Sequence, residues 1–313
     1  MTLYLVATPI GNRQDITLRA LSVLRSVDII ACEHPQHSAP LLRAHGIEVG
    51  AGDKTVKTPV LQWLHEHNER GETEKIIQAL QAGRDVAVIS DAGTPLIADP
   101  GFLLVRAAQA AGIRVVPIGG VSALLVALSG SGLPTHRFSF FGFPPAKENL
   151  RGQFWQETAF APLGTVAIFL PPHKAENYLT ELAMLFPTRP ACLARELTKL
   201  YEEYTTLPLA ELLPALTAKH QGRWRGEMVL LLAPMEDDDK SGGVVDQLVA
   251  ELLQTYHQLD WPLKKAVAKI NAITQWGKGK IYDKGLLLWK EEKGKRVKVG
   301  NGRNSNREKK DDK

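Results

Sequence analysis

The sequence predicts an α/β protein made of two α/β domains followed by a small helical appendix. Three observations predict it. Short apolar runs alternate with stretches of helical spacing through residues 3–118. After a break at Gly119-Gly120, a second series of strand-like runs begins. A charged, glycine-bearing stretch at 235–243 (MEDDDKSGG) then precedes two long helical patterns. A length of 313 residues fits this division, since a domain takes roughly 150.

The elements follow in order. Residues 3–7 (LYLVA) form a compact apolar strand, and 16–26 carry helical spacing through Ile16, Leu18, Leu21, Val23 and Leu24. Residues 28–32 and 85–90 are further strands, with a helix over 74–81 stopped by Gly83. A helix over 102–111 ends at Gly112, and 114–118 is the fourth strand. Strands separated by helices pair in parallel, with the helices packed on the sheet. Beyond the glycine pair come a helix over 122–128, strands at 138–143, 165–170, 191–196 and 227–233, and helices at 175–186 and 209–219. The expected division is an N-terminal domain over 1–118, a second domain over 119–235, a linker at 236–243, a helical appendix over 244–290 and a basic disordered tail over 291–313.

Composition excludes several classes. No run of about 18 apolar residues exists, so no membrane helix is expected. The opening run lacks a charged region and a cleavage site, so no signal peptide is expected. Two cysteines, Cys32 and Cys192, cannot build a disulfide framework and read as reduced core thiols of a cytoplasmic protein. The net charge of +4 is concentrated after residue 289, leaving a nearly neutral body and a basic tail suited to a phosphate-rich partner.

Three turns lie where a strand meets a helix: Thr8-Pro9-Ile10-Gly11-Asn12, Ser90-Asp91-Ala92-Gly93-Thr94-Pro95, and Gly119-Gly120-Val121-Ser122-Ala123. Ligands of open α/β sheets bind beyond the carboxyl ends of strands, and glycine lets backbone approach them closely. None of these turns is a dinucleotide fingerprint or a P-loop. Residues 33–38 (EHPQHS) place a carboxylate and two imidazoles after the second strand, and an imidazole titrates near neutrality. They read equally well as an exposed loop. His65 and His67 in LHEHNE (64–69) lack HExxH spacing and a third ligand, so no metal is expected. The mixed charges of 195–203 (RELTKLYEE) read alone as a solvated face.

Taken together, TPIGN, VISDAGTPLIADPG (88–101), RVVPIGGVSAL (114–124), RELTKLYEE and GEMVLLL (226–232) resemble the tetrapyrrole methylase superfamily. Within it they resemble bacterial enzymes that methylate a ribose 2′-oxygen in small-subunit ribosomal RNA. LHEHNE, GFPPAK (142–147) and PLKKAVAKI (262–270) share the pattern, so the likeness runs from residue 3 to about 289. The resemblance implies two α/β domains with an inter-domain cofactor cleft, S-adenosyl-L-methionine as cofactor, and a homodimer. It also implies 16S rRNA in the small ribosomal subunit as partner, with a cytidine of the decoding region as target. Carried over by motif, the cofactor contacts are Pro9, Ala92, Gly93, Thr94, Ile97, Ser122 and Ala123, with Leu170 and Met228 from the second half. Candidates for the base or cation that assists the hydroxyl are Glu33, His34, His37, His67 and Lys199. Asn12, Asn68, Glu69, Arg195, Glu196, Lys264 and Lys265 fall on the substrate side.

The sequence departs from the family at three places. E-D-T-R-x-[TS] becomes Glu33-His34-Pro35-Gln36-His37-Ser38, P-G-P-S-A becomes GGVSA, and Y-E-S-P-H-R becomes FLPPHK (169–174). Residues 51–62 read as an insertion. Two alternatives follow: a methylase of the same fold acting on a tetrapyrrole, and a cofactor-binding relative with reduced or no rRNA methylation.

Overall fold

The apolar runs of the first half fold into one five-stranded sheet. Its strands are β1 (Thr2–Val6), β2 (Ile29–Cys32), β3 (Val60–Trp63), β4 (Val86–Ile89) and β5 (Arg114–Ile118), in the spatial order β3-β2-β4-β1-β5. Every neighbouring pair is parallel. The structure is a computed structural model that describes residues 1–50, 58–159, 164–221, 225–234, 244–259, 261–274, 277–286 and 288–289.

All residues of β2 and β4 are buried, as central strands covered on both faces require. The crossover helices are α1 (Leu18–Ser26), α2 (Pro35–Ala44), α3 (Glu69–Gln81) and α4 (Phe102–Ala110). The Thr17 hydroxyl caps α1 by accepting from the Ala20 N–H at 3.1 Å. Pro35 opens α2 at a position where a missing N–H costs nothing. Leu3, Ile76, Leu80, Val86 and Leu104 form a core on one face of the sheet, and Val6, Leu24, Ile30, Leu42 and Ile89 form another.

The later helices are α5 (Ala123–Gly130), α6 (Glu148–Ala159), α7 (Ala175–Leu185) and α8 (Leu209–His220). The second sheet holds β6 (Phe138–Phe140), β7 (Thr165–Leu170), β8 (Pro190–Arg195), β9 (Glu203–Pro208) and β10 (Met228–Leu232), ordered β6-β7-β10-β8-β9. β6 and β7 are parallel and the other pairs antiparallel. Leu124, Ala127 and Leu128 of α5 pack with Ala167, Cys192, Ala194, Val229 and Leu231 of this sheet, and Ile10 from the turn after β1 joins them. That shared core brings the two sheets into one compact unit, Met1–Pro145 with Thr165–Ala233.

The other unit comprises Ala146–Gly164 and Pro234–Lys313. It contains α6, α9 (Val244–Gln258) and α10 (Leu263–Thr274), with Val249, Leu253, Ala266, Ile270 and Ile281 as its core. The linker expected at 236–243 and the tail at 291–313 lie outside the described residues, as do 51–57 of the expected insertion.

Several boundaries differ from the sequence reading. α2, α6, β3 and β9 are additional elements; α3 begins at Glu69 rather than 74; and the strand expected over 138–143 ends at Phe140. Both cysteines are buried and free. Burial pushes the Cys32 thiol up to about 11, so it stays protonated and unreactive at neutral pH.

Glu203 ties β9 to its neighbours. Its carboxylate meets Lys219 Nζ at 2.8 Å, His220 Nε2 at 3.1 Å and Arg195 Nη2 at 3.3 Å, and accepts from Thr205 Oγ1 at 3.0 Å. Burial alone raises its pKa, but the hydrogen bonds from Lys219 and Thr205 and the charges of His220 and Lys219 overcome this and draw it down to about 2. A folded-state pKa below the unfolded value contributes stability above about 4.5 that is lost as pH falls toward 2. Glu203→Ala is therefore expected to lower unfolding free energy by about 3 kcal/mol at neutral pH, because it strands a half-buried Arg195. Urea denaturation at pH 7 and pH 3 checks this: the deficit must shrink at the lower pH.

Candidate active site

The three strand-end turns converge. The Thr8 N–H donates to the Gly93 carbonyl at 2.8 Å, and the Gly93 N–H donates to the Thr8 carbonyl at 3.0 Å. Thr8 Oγ1 donates to the Ser90 carbonyl at 3.1 Å, and Thr94 Oγ1 to the Val121 carbonyl at 3.3 Å. Two glycines make this approach possible. Gly93 has φ +81°, and a Cβ there would lie 3.2 Å from Ile10 Cγ2. A Cβ on Gly120 would lie 2.7 Å from Ala7 Cβ, closer than packed atoms approach.

Beside these turns lies a cavity of about 430 Å³, within the range of small-molecule sites. Eight of the nine cofactor candidates line it: Ala92, Gly93, Thr94, Ile97, Ser122, Ala123, Leu170 and Met228. Pro9 is buried outside the lining, and its neighbour Ile10 forms the wall instead. Leu170 and Met228 meet because β7 and β10 pair them directly. Phe143, Phe169, Leu197 and Val229 add apolar surface, while Asp91, Asp99, His173 and Glu227 are polar points on the wall. A mainly apolar hollow lined by residues of the glycine-bearing turns, with a few polar points, fits S-adenosylmethionine.

Asp99 was not singled out by the sequence. Burial pushes its carboxyl up to about 6, and the negative charges of Glu33 and Asp91 act in the same direction against a hydrogen bond from Ser90. Nothing in its local sequence, LIADPG, announces this burial, and the added push from Glu33 arises because β2 and β4 are neighbours.

The same adjacency gathers His34, His37 and Asp91. His34 Nδ1 lies 2.7 Å and His37 Nδ1 3.0 Å from Asp91 Oδ2. Among the catalytic candidates, Glu33, His34 and His37 thus share one rim. His67 stands apart, its ring edge-on to His65 at 6.0 Å between centroids.

Lys199 occupies the loop between β8 and β9. Its ammonium contacts Glu196 Oε1 at 3.0 Å and Glu227 Oε2 at 3.2 Å. Burial lowers its pKa, but the hydrogen bonds and charges of Glu196 and Glu227 outweigh that and raise it, so Lys199 is a cation rather than a base. It borders an open hollow with Gly11, Asn12, Arg13, Gln14 and Thr198. The Asn12 N–H donates to Thr198 Oγ1 at 3.1 Å, tying this loop to the turn after β1.

The remaining substrate candidates have structural partners. Asn68 Oδ1 accepts from the His65 N–H at 2.8 Å. Glu69 Oε1 accepts from the N–H groups of Gly101 and Leu103, both at 2.9 Å, and so caps α4. Arg195 donates to the Arg225 carbonyl and pairs with Glu203. Glu196 Oε1 accepts from the Glu227 N–H at 3.1 Å. Lys264 and Lys265 are exposed at the start of α10, with Lys265 Nζ 4.4 Å from the Trp261 ring centre.

Backbone strain clusters in the same two loops. Leu96 and Ala98 after β4, and Glu196 and Thr198 after β8, are non-glycine residues with φ between +50° and +72°. Such conformations cost about 1 kcal/mol or more each and mark functional loops more often than neutral ones.

A family model for tetrapyrrole (corrin/porphyrin) methylases matches residues 2–213. Ribosomal RNA small subunit methyltransferase I of Pseudomonas aeruginosa is 46% identical over 293 residues, covering 91% of this chain and 96% of its own. The protein of that name from Vibrio cholerae is 42% identical over 287 residues, covering 91% and 94%. Among solved structures, diphthine synthase superposes with a TM-score of 0.54 at 16% identity over 74% of this chain and 90% of its own, a likeness of fold alone. The family is one of S-adenosylmethionine-dependent methyltransferases, as the motifs implied. With its parallel sheet, its gathered turns and two relatives matched along nine-tenths of its length, the chain belongs to the tetrapyrrole methylases and, within them, to the family of ribosomal RNA small subunit methyltransferase I.

Proposed function

We propose that this chain methylates small-subunit ribosomal RNA at the ribose 2′-oxygen of a cytidine in the decoding region, with S-adenosylmethionine bound in the cavity between the two sheets. The observation that carries this reading is the cavity itself, lined by residues of all three turns and by Asp99, whose carboxyl burial pushes up to about 6. The cofactor supplies an activated methyl group.

The chain must then hold a ribose hydroxyl in line and accept its proton. Asp99 is the proton acceptor in this reading. At pH 7 it is mostly ionised, yet more basic than an ordinary aspartate. Arg13 is exposed beside the open hollow and offers a phosphate of the target strand a cation, while Lys199 at the same hollow is held by Glu196 and Glu227. Lys264 and Lys265 serve the same purpose in the helical unit. Cations in the first turn of a helix oppose its dipole, which argues for an anionic partner rather than for stability.

The test is methyl transfer from labelled S-adenosylmethionine into assembled small subunits lacking the modification, followed by mass mapping of the rRNA. One methyl on a cytidine ribose is expected. Transfer to a tetrapyrrole precursor and not to the particle would replace this reading with the corrin alternative. Binding to the particle without transfer to either substrate would make the chain a non-catalytic relative.

A further inference from the structure

We propose that His34, His37 and Asp91 form a binding site for one zinc-class divalent cation at the mouth of the cavity. His34 is the cap of α2 and His37 lies in its first turn, so one helical turn separates them and both rings face the same side. Asp91 reaches them from the loop after β4, 57 and 54 residues away. The two Nδ1 atoms converge on a single oxygen, Asp91 Oδ2, at 2.7 and 3.0 Å, with the ring centroids 5.0 Å apart. All three donor atoms lie within 4.8 Å of one another.

Donor chemistry selects the ion. Two imidazoles and one carboxylate suit zinc, cobalt, nickel or copper, whereas magnesium and calcium take oxygen ligands. With metal–ligand bonds of about 2.0–2.1 Å, a tetrahedral ion separates its ligands by roughly 3.3 Å, so each imidazole nitrogen has to move a few tenths of an ångström from Asp91 Oδ2, within a set whose largest separation is at most 4.8 Å. Three protein ligands leave a fourth position open. Asp91 also lines the cavity, which puts the three donors beside it.

Electrostatics decides whether a cation is tolerated there. The N-terminus of α2 presents roughly half a positive charge, which opposes binding. Against it stand three carboxylates in one neighbourhood: Asp91, and Glu33 and Asp99, which interact with one another. The acidic groups outweigh the dipole, and a divalent ion relieves their mutual repulsion. Without metal, the imidazoles share one carboxylate by hydrogen bonding alone, which is the competing outcome.

The experiment uses untagged full-length protein, stripped with chelator and titrated with zinc chloride by calorimetry in the absence of cofactor and RNA. One equivalent is expected to bind, about tenfold or more weaker in His34→Ala and His37→Ala and unchanged in His67→Ala. Zinc X-ray absorption of the wild-type protein should report two imidazole ligands. Absence of saturable binding, equal affinity in the His37→Ala variant, or fewer than two imidazoles overturns the proposal. No methyl transfer is measured, so failure here leaves the rRNA reading untouched, and failure of that reading leaves this one standing.

Discussion

Replacing Gly93 by valine is expected to weaken S-adenosylmethionine binding by about a hundredfold, ~2.7 kcal/mol, without unfolding the protein. Two effects add. At φ +81° a β-branched residue is strained by about 1–3 kcal/mol. Its Cβ would also lie 3.2 Å from Ile10 Cγ2, a contact the wall can relieve only by shifting Ile10 into the cavity. Ile10 cannot retreat the other way, because it belongs to the core that α5 shares with the second sheet. Gly93→Ala carries a smaller conformational penalty and an intermediate loss of affinity. Calorimetry with the cofactor, alongside far-ultraviolet circular dichroism, measures both. Unchanged affinity in the valine variant would remove the turn after β4 from the site.

The second large effect concerns Asp99. Asp99→Asn should lower the rate of methyl transfer by about 10²-fold or more at pH 7, the usual contribution of a positioned base. In the wild-type protein the rate should rise as pH increases through about 6, and the asparagine variant should lose that limb. Stability should move the opposite way. The fold raises the pKa of Asp99 from 3.8 to about 6, so between those values the folded chain holds more protons than the unfolded one. The stability this provides is complete below about 4 and is lost as pH rises through 6. Above pH 6 the asparagine variant should therefore be the more stable protein, by about 1–2 kcal/mol once solvent screening is allowed for. Single-turnover rates and thermal melts over pH 5–8 test both halves. A variant that loses activity and stability together would mark Asp99 as structural.

The fold was legible where burial is complete. β2, β4, β7 and β10 are nearly unbroken apolar runs, and each is central in its sheet. β3 and β9 escaped because both are edge strands. VLQW and EYTTLP mix polar and apolar residues, with side chains only partly covered, so neither a run nor an alternation stands out. α2 escaped because Pro35 and Pro40 suggest a loop, although proline at the first helical position is favourable.

The site was legible to a different degree. The three turns stood out because glycine and proline announce themselves locally, and the family resemblance then pointed to Gly93, Thr94, Ser122 and Ala123 within them, all of which line the cavity. Side-chain partnerships could not. The meeting of His34 and His37 with Asp91 depends on β2 lying next to β4, a fact of strand order that no local pattern records. Glu69 shows the converse: its motif suggested substrate, while its carboxylate is engaged at the start of α4.

The helical unit is assembled from two separate stretches of chain, since α6 belongs with α9 and α10 although β7 to β10 intervene between them. β6 and β7, which flank the α6 excursion, are themselves paired in the other unit. A shortened protein ending after Ala233 is therefore no clean domain. It would strand α6, including the buried Trp155 and Arg151, without the rest of its unit, and shed material as an aggregation-prone fragment. Separating the two units for study calls for replacing residues 146–164 with a short tether as well as stopping the chain near 234.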